Sequence, residues 1–131
     1  TDSVEALKRK REMAEKQDLV DVYLAAAITN ENANEIDKLY DHCDAFKVFM
    51  SESFGKLSVT EENIELALSL LTEKGLTHKP IYFHAEDPVI LKEKAPEDDH
   101  YKQRPPEAEA VAVQQILRWA EKYPRIHFHV T

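Results

Sequence analysis

Glycine is scarce in this chain: its 131 residues contain two, Gly55 and Gly75. A loop that cradles phosphates needs several glycines so that backbone N–H groups can approach the ligand. That class of nucleotide site is therefore excluded. Cysteine occurs once, at Cys43, so no intrachain disulfide can form. A lone thiol fits a reducing, cytoplasmic compartment. Basic residues are outnumbered, 17 against 25 acidic, and the formal net charge is -8. Nucleic acid binding needs a basic face, so this balance argues against nucleic acid as the main partner. No apolar run approaches the roughly 20 residues of a membrane span. The opening stretch TDSVEALKRKREMAEK is too highly charged for a signal peptide. What remains is 43% hydrophobic and 32% charged, the composition of a globular protein with a real core.

Helical and strand patterns alternate along the chain. Asp2 or Ser3 can cap a helix through about Lys16, with Val4, Leu7 and Met13 on one side. The run VDVYLAAAIT, residues 20–29, reads as a first strand. Asn30 or Thr29 can cap a second helix with Ile36, Leu39 and Tyr40 as its inner face. AFKVFMS, residues 45–51, is a second strand, followed by a loop that turns at Gly55. Ser58 or Thr60 caps a helix from about Glu61 to Lys74 that stops at Gly75. PIYFHAE is a third strand. Residues 88–104 form a polar loop with room for one short helical turn. Pro105 and Pro106 open a fourth helix, where a missing N–H costs little, and Glu107 and Glu109 suit its positive end. Pro124 stops it, and RIHFHVT is the last strand. The order α-β-α-β-α-β-α-β implies a parallel α/β sheet with right-handed crossovers. The strands read as near-continuous apolar runs, as expected when both faces are covered. Four βα units amount to half of a TIM (β/α)8 barrel, or to a small open sheet. A complete barrel takes about 250 residues, so residues 1–131 are expected to form a single, partial barrel domain.

Three strand-borne groups stand out. In parallel α/β folds reactive groups collect at the C-terminal ends of the strands. His84 sits there, just past the apolar run, followed by Glu86 and Asp87. It suits a metal ligand or general base; the competing reading is a satisfied core histidine. Lys47 lies between Phe46 and Val48. Burial lowers a lysine's pKa, and the neutral amine can form a Schiff base or add carbon dioxide as a carbamate. The competing reading is a buried stem with its head reaching solvent. His127 and His129 alternate on the last strand and so share a face, either as ligands or as a polar layer. Asp98, Asp99 and His100 are better read as a solvated acidic loop than as a ligand cluster. His42 and His78, like His100, belong to loops or helix ends and receive no role.

Taken together, FKVFMSESFG, FHAED, RPPEAEA and HFHVT resemble the dihydroorotases of the amidohydrolase superfamily. The resemblance spans essentially the whole chain and corresponds to barrel strands three to six. It implies a TIM barrel whose site holds two zinc ions bridged by carboxylated Lys47. It also implies His84 as a metal ligand, and Arg104 and Glu109 of the RPPEAE stretch as loop-anchoring or supporting residues. For His129 two alignments stand: it is the sixth-strand ligand with Thr131 as the small hydroxyl residue that follows, or it precedes a ligand just after Thr131. The implied reaction interconverts dihydroorotate and N-carbamoyl-aspartate in pyrimidine biosynthesis, catalysed by a cytoplasmic enzyme acting on a small molecule. Hydantoinases and allantoinases share the lysine and histidine strands and are the alternative cyclic amidohydrolases.

The family's His-x-His pair of strand one and its late-strand aspartate do not occur in these 131 residues. The chain therefore reads as the middle of an enzyme and is expected to be inactive alone. It is expected to associate with the remaining barrel segments or with itself. A non-catalytic half-barrel that self-associates through its open sheet edges is the reading from a different class.

Overall fold

In the computed structural model, residues 1–17, 19–52, 57–92 and 99–131 are described. The expected turn at Gly55 and the residue Asp98 fall outside them, as does the side chain of His100. Helix α1 spans Val4–Gln17, and the hydroxyl of Ser3 accepts from the N–H of Ala6. Leu7 is buried under it, whereas Met13, expected on the inner side, is exposed.

Strand β1 is Ala25–Ala27, shorter than the run 20–29 suggested. Its partner explains the difference. Strand β2, Ala45–Phe49, begins opposite Ala25, so earlier residues have no ladder to join. The N–H of Leu24 is instead taken by the carboxylate of Asp44 at 2.8 Å. Val20 and Tyr23 are left 75% and 81% exposed, which decides against strand burial there. The expected second helix is a 3-10 turn, Ala33–Glu35, followed by a short helix α2, Asp37–Tyr40. The Asn32 side chain accepts from Thr29 N–H and donates to the Ala27 carbonyl, folding the chain tightly over the end of β1. Ile36 and Leu39 are buried as expected.

Helix α3 spans Glu61–Glu73, capped by the Thr60 hydroxyl, which accepts from Asn63 N–H. Its buried stripe is Ile64, Ala67, Leu68 and Leu71, the 3–4 spacing of an amphipathic helix. The chain leaves it through Gly75 at φ 70°, a conformation glycine adopts without strain. Strand β3 is Ile81–His84. Two short helices follow where one turn was expected: α4, Pro88–Lys92, and α5, His100–Gln103. The Asp87 carboxylate starts α4 by accepting from Val89 and Ile90 N–H. Helix α6, Pro106–Lys122, leads to strand β4, Phe128–Val130.

The four strands are parallel in the order β1-β2-β3-β4, as the alternation implied. Consecutive neighbours joined by helical crossovers are the arrangement of one arc of a (β/α)8 barrel. The two faces differ, contrary to the expectation that both are covered. Phe46, Val48, Ile81 and Phe83 point towards the helices and are fully buried, with Ile116 and Trp119 of α6 and the α3 stripe in the same core. The alternate residues Lys47, Phe49, Tyr82 and His84 are half-buried, and His129 is exposed. Period-2 alternation within runs that look continuously apolar thus produces one greasy face and one chemically equipped face.

Candidate active site on the open face of the sheet

The ladder register aligns the equipped face in rows. Lys47 is level with Tyr82, and Tyr82 with His129; one step towards the C-terminal ends, Phe49 is level with His84. Parallel pairing brings the ends of β2, β3 and β4 to the same edge, so groups from three strands share one surface.

The Lys47 amine donates to Thr131 Oγ1 at 2.7 Å, reaching across β3 to the residue after β4. Thr131 is held by its own N–H and hydroxyl, both of which donate to the Phe83 carbonyl. Lys47 Nζ also lies 5.1 Å from the centre of the Phe49 ring. Burial lowers the pKa of this amine below the ordinary lysine value, because a low-dielectric surround disfavours its charged form. His129 meets Tyr82 edge to face, with ring centres 4.8 Å apart.

At the end of β3 the carboxylate of Glu86 gathers three groups. Its Oε2 lies 3.0 Å from His84 Nε2, accepts from the buried Ser51 hydroxyl at 3.2 Å, and is paired with the Arg104 guanidinium. Burial pushes the Glu86 pKa up, but the Arg104 hydrogen bond and charge, with His84 beside them, outweigh it. The net result is a carboxyl held below its usual value. A cavity of about 340 Å³ opens next to this cluster, lined among others by Asn30, Ser51, Glu52 and Leu91.

Lys47, His84 and His129 therefore share one face, and Arg104 touches the site through Glu86. Glu109 does not join them: it is exposed in the first turn of α6. His127 is exposed just before β4, where its carbonyl accepts from Ile81 N–H. Sequence reasoning assigned no part to Glu86 or Ser51. The signal was available, since residues 84 and 86 are two apart in an extended segment and leave it on the same side.

An amine able to form a carbamate and two imidazoles are donors that zinc accepts. Among the described residues, however, no three His, Cys, Asp or Glu side chains gather into a metal site. The donor chemistry fits zinc, but the number of donors supplies only part of a centre. No helix among the described residues is long and apolar enough to cross a membrane.

No family model matches the chain. Among curated proteins it is 32% identical to a dihydroorotase of Methanosarcina acetivorans, over 94% of this chain and 28% of that protein. It is 33% identical to a dihydroorotase of Methanosarcina mazei, over 86% of this chain and 26% of that protein. The chain thus spans about a quarter of the length of the curated relatives it matches. Among solved structures it superposes on an L-hydantoinase (dihydropyrimidinase) from Arthrobacter aurescens with a TM-score of 0.85. That likeness covers 99% of this chain and 31% of the hydantoinase at 22% identity, and shows a shared fold. The chain is thus similar in sequence to part of two dihydroorotases and shares its fold with part of a hydantoinase.

Proposed function

We propose that this chain is part of a zinc-dependent cyclic amidohydrolase that interconverts dihydroorotate and N-carbamoyl-aspartate. The observation that carries this reading is the common face of Lys47, His84 and His129, in a chain whose sequence follows dihydroorotases over nearly its whole length. Zinc, when bound, would supply Lewis-acid activation of water and of the ring carbonyl.

The chain's own residues have separate tasks. The half-buried Lys47 has a larger neutral fraction than an exposed lysine. Its amine nitrogen forms a bond to the carbon of carbon dioxide and releases one proton to water. The resulting carbamate would offer two oxygens and one negative charge to the metal centre. His84 and His129 would help to hold it through imidazole nitrogens from the neighbouring strands. Arg104, through Glu86, fastens the segment before α6 to the end of β3. His127-Phe128-His129 has the spacing of a His-x-His pair but lies at the wrong end of the barrel order for the strand-one pair, so the 131 residues are expected to be inactive alone.

The test is ring opening by the full-length protein, with dihydroorotate, hydantoin and allantoin as competing substrates. Preference for dihydroorotate, lost on chelation and restored by zinc, supports the reading. Preference for hydantoin or allantoin moves the protein to another cyclic amidohydrolase, and no turnover of any of the three overturns the enzymatic reading.

A further inference from the structure

We infer that Glu86 is a positioning residue that holds His84 with its proton on Nε2, leaving Nδ1 as the nitrogen that offers a lone pair. The inference rests on the reading of His84 as a metal donor only in the use made of Nδ1. Glu86 Oε2 already accepts from the Ser51 hydroxyl and from the Arg104 guanidinium, which has only donors, so this oxygen acts as an acceptor. The nitrogen facing it, His84 Nε2 at 3.0 Å, must therefore carry the hydrogen. In a neutral imidazole the other nitrogen is then the acceptor.

The carboxylate is itself fixed from two further directions. Ser51 Oγ, 1% exposed at the end of the β2 segment, donates to the same oxygen at 3.2 Å. Arg104, from the segment that opens α6, supplies the guanidinium. The Glu86 side chain is 16% exposed, against 32% for His84, so the carboxylate lies deeper than the ring it holds. One oxygen thus ties together the ends of β2 and β3 and the entry to α6. Rotation of the His84 ring would break the contact to Nε2 while the other two partners keep the carboxylate in place. A carboxylate behind a ligating imidazole fixes the ring's tautomer and orientation and raises its basicity.

The experiment reads the tautomer directly. The full-length protein is labelled with 15N-histidine, stripped of metal, and examined by long-range proton–nitrogen correlation at about pH 8, above the usual imidazole range. The His84 signals are those missing in His84→Gln. In the wild type, Nε2 is expected to be protonated and Nδ1 unprotonated. Glu86→Ala is expected to give a mixture of tautomers. Glu86→Gln keeps an oxygen acceptor and is expected to retain the Nε2–H form. A wild-type His84 protonated on Nδ1, or an unchanged Nε2–H population in a folded Glu86→Ala protein, overturns the inference. If Glu86→Ala does not fold, the wild-type tautomer still decides. Chelator competition then measures zinc, with a loss of about 10–100-fold in affinity expected for Glu86→Ala. If the wild type binds zinc, equal zinc affinity in both proteins also overturns the inference. A wild type that holds the Nε2–H tautomer but binds no zinc bears out the positioning and counts against the metal reading instead.

Discussion

Lys47 on β2 donates a hydrogen bond to Thr131 beyond β4, spanning the intervening strand on the open face of the sheet. Thr131 in turn is anchored to the Phe83 carbonyl by its N–H and its hydroxyl. Thr131→Val keeps the shape of the side chain and removes the oxygen. Two hydrogen bonds go with it, from Lys47 and to the Phe83 carbonyl, and the expected cost is about 1–3 kcal/mol, from about 0.5–1.5 kcal/mol for each. Urea denaturation checks this, and an unchanged midpoint would show that Lys47 does not lean on Thr131 in solution.

Phe83 is the apolar counterpart of that arrangement. It is fully buried on the helix-facing side, stacked on Phe128 at 5.5 Å and tilted against Trp119 at 6.1 Å. Phe83→Ala is expected to cost about 3–5 kcal/mol through lost burial and the cavity left behind. Thermal or urea unfolding measures it, and a loss below about 1 kcal/mol would contradict the packing described.

Asp44 makes stability depend on pH. Its pKa is lowered first by the Leu24 N–H and further by the hydrogen bond and charge of Arg11, against an opposing effect of burial. A depressed carboxyl contributes stability that is fully present above the unfolded value near 3.9. That contribution is lost as pH falls through the lower folded value. The side chain is 35% exposed, so solvent screening limits the effect. Asp44→Ala is expected to cost about 1 kcal/mol at neutral pH and less in acid. An equal cost at both pH values would rule out the charged interaction.

Much of this organisation was legible in the sequence, for identifiable reasons. Thr60 and Gly75 mark the ends of α3 because a hydroxyl cap and a left-handed glycine are local chemistry. Lys47 and His84 could be placed on one face because strand alternation and parallel register leave little choice. The start of β1 was not legible: Val20 and Val22 have strand character, but pairing with β2 begins only at Ala25. The role of Glu86 was hidden for a related reason. Two of its partners, Ser51 and Arg104, are 35 and 18 residues away, brought close by the fold alone. Glu109 was drawn into the site by its place in RPPEAE, whereas its position in α6 turns it to solvent.

The 131-residue chain by itself is expected to show no ring opening of dihydroorotate, even with zinc and bicarbonate added. Among the described residues no three His, Cys, Asp or Glu side chains gather into a metal site, and hydrolysis needs a complete centre and a proton acceptor beside the attacking water. Turnover in the ordinary enzymatic range, about 1–10³ per second, would show that the other segments are dispensable.

The most direct test is Lys47→Ala in the full-length protein, followed by dihydroorotate turnover and zinc content. If Lys47 supplies the anionic bridge from the open face, kcat falls by at least about 100-fold, the upper end of what losing an outer partner of a metal site costs. Zinc content falls with it, and a short carboxylic acid added with zinc restores part of the activity. Wild-type turnover and wild-type zinc in Lys47→Ala would contradict the assignment of this face as the catalytic centre.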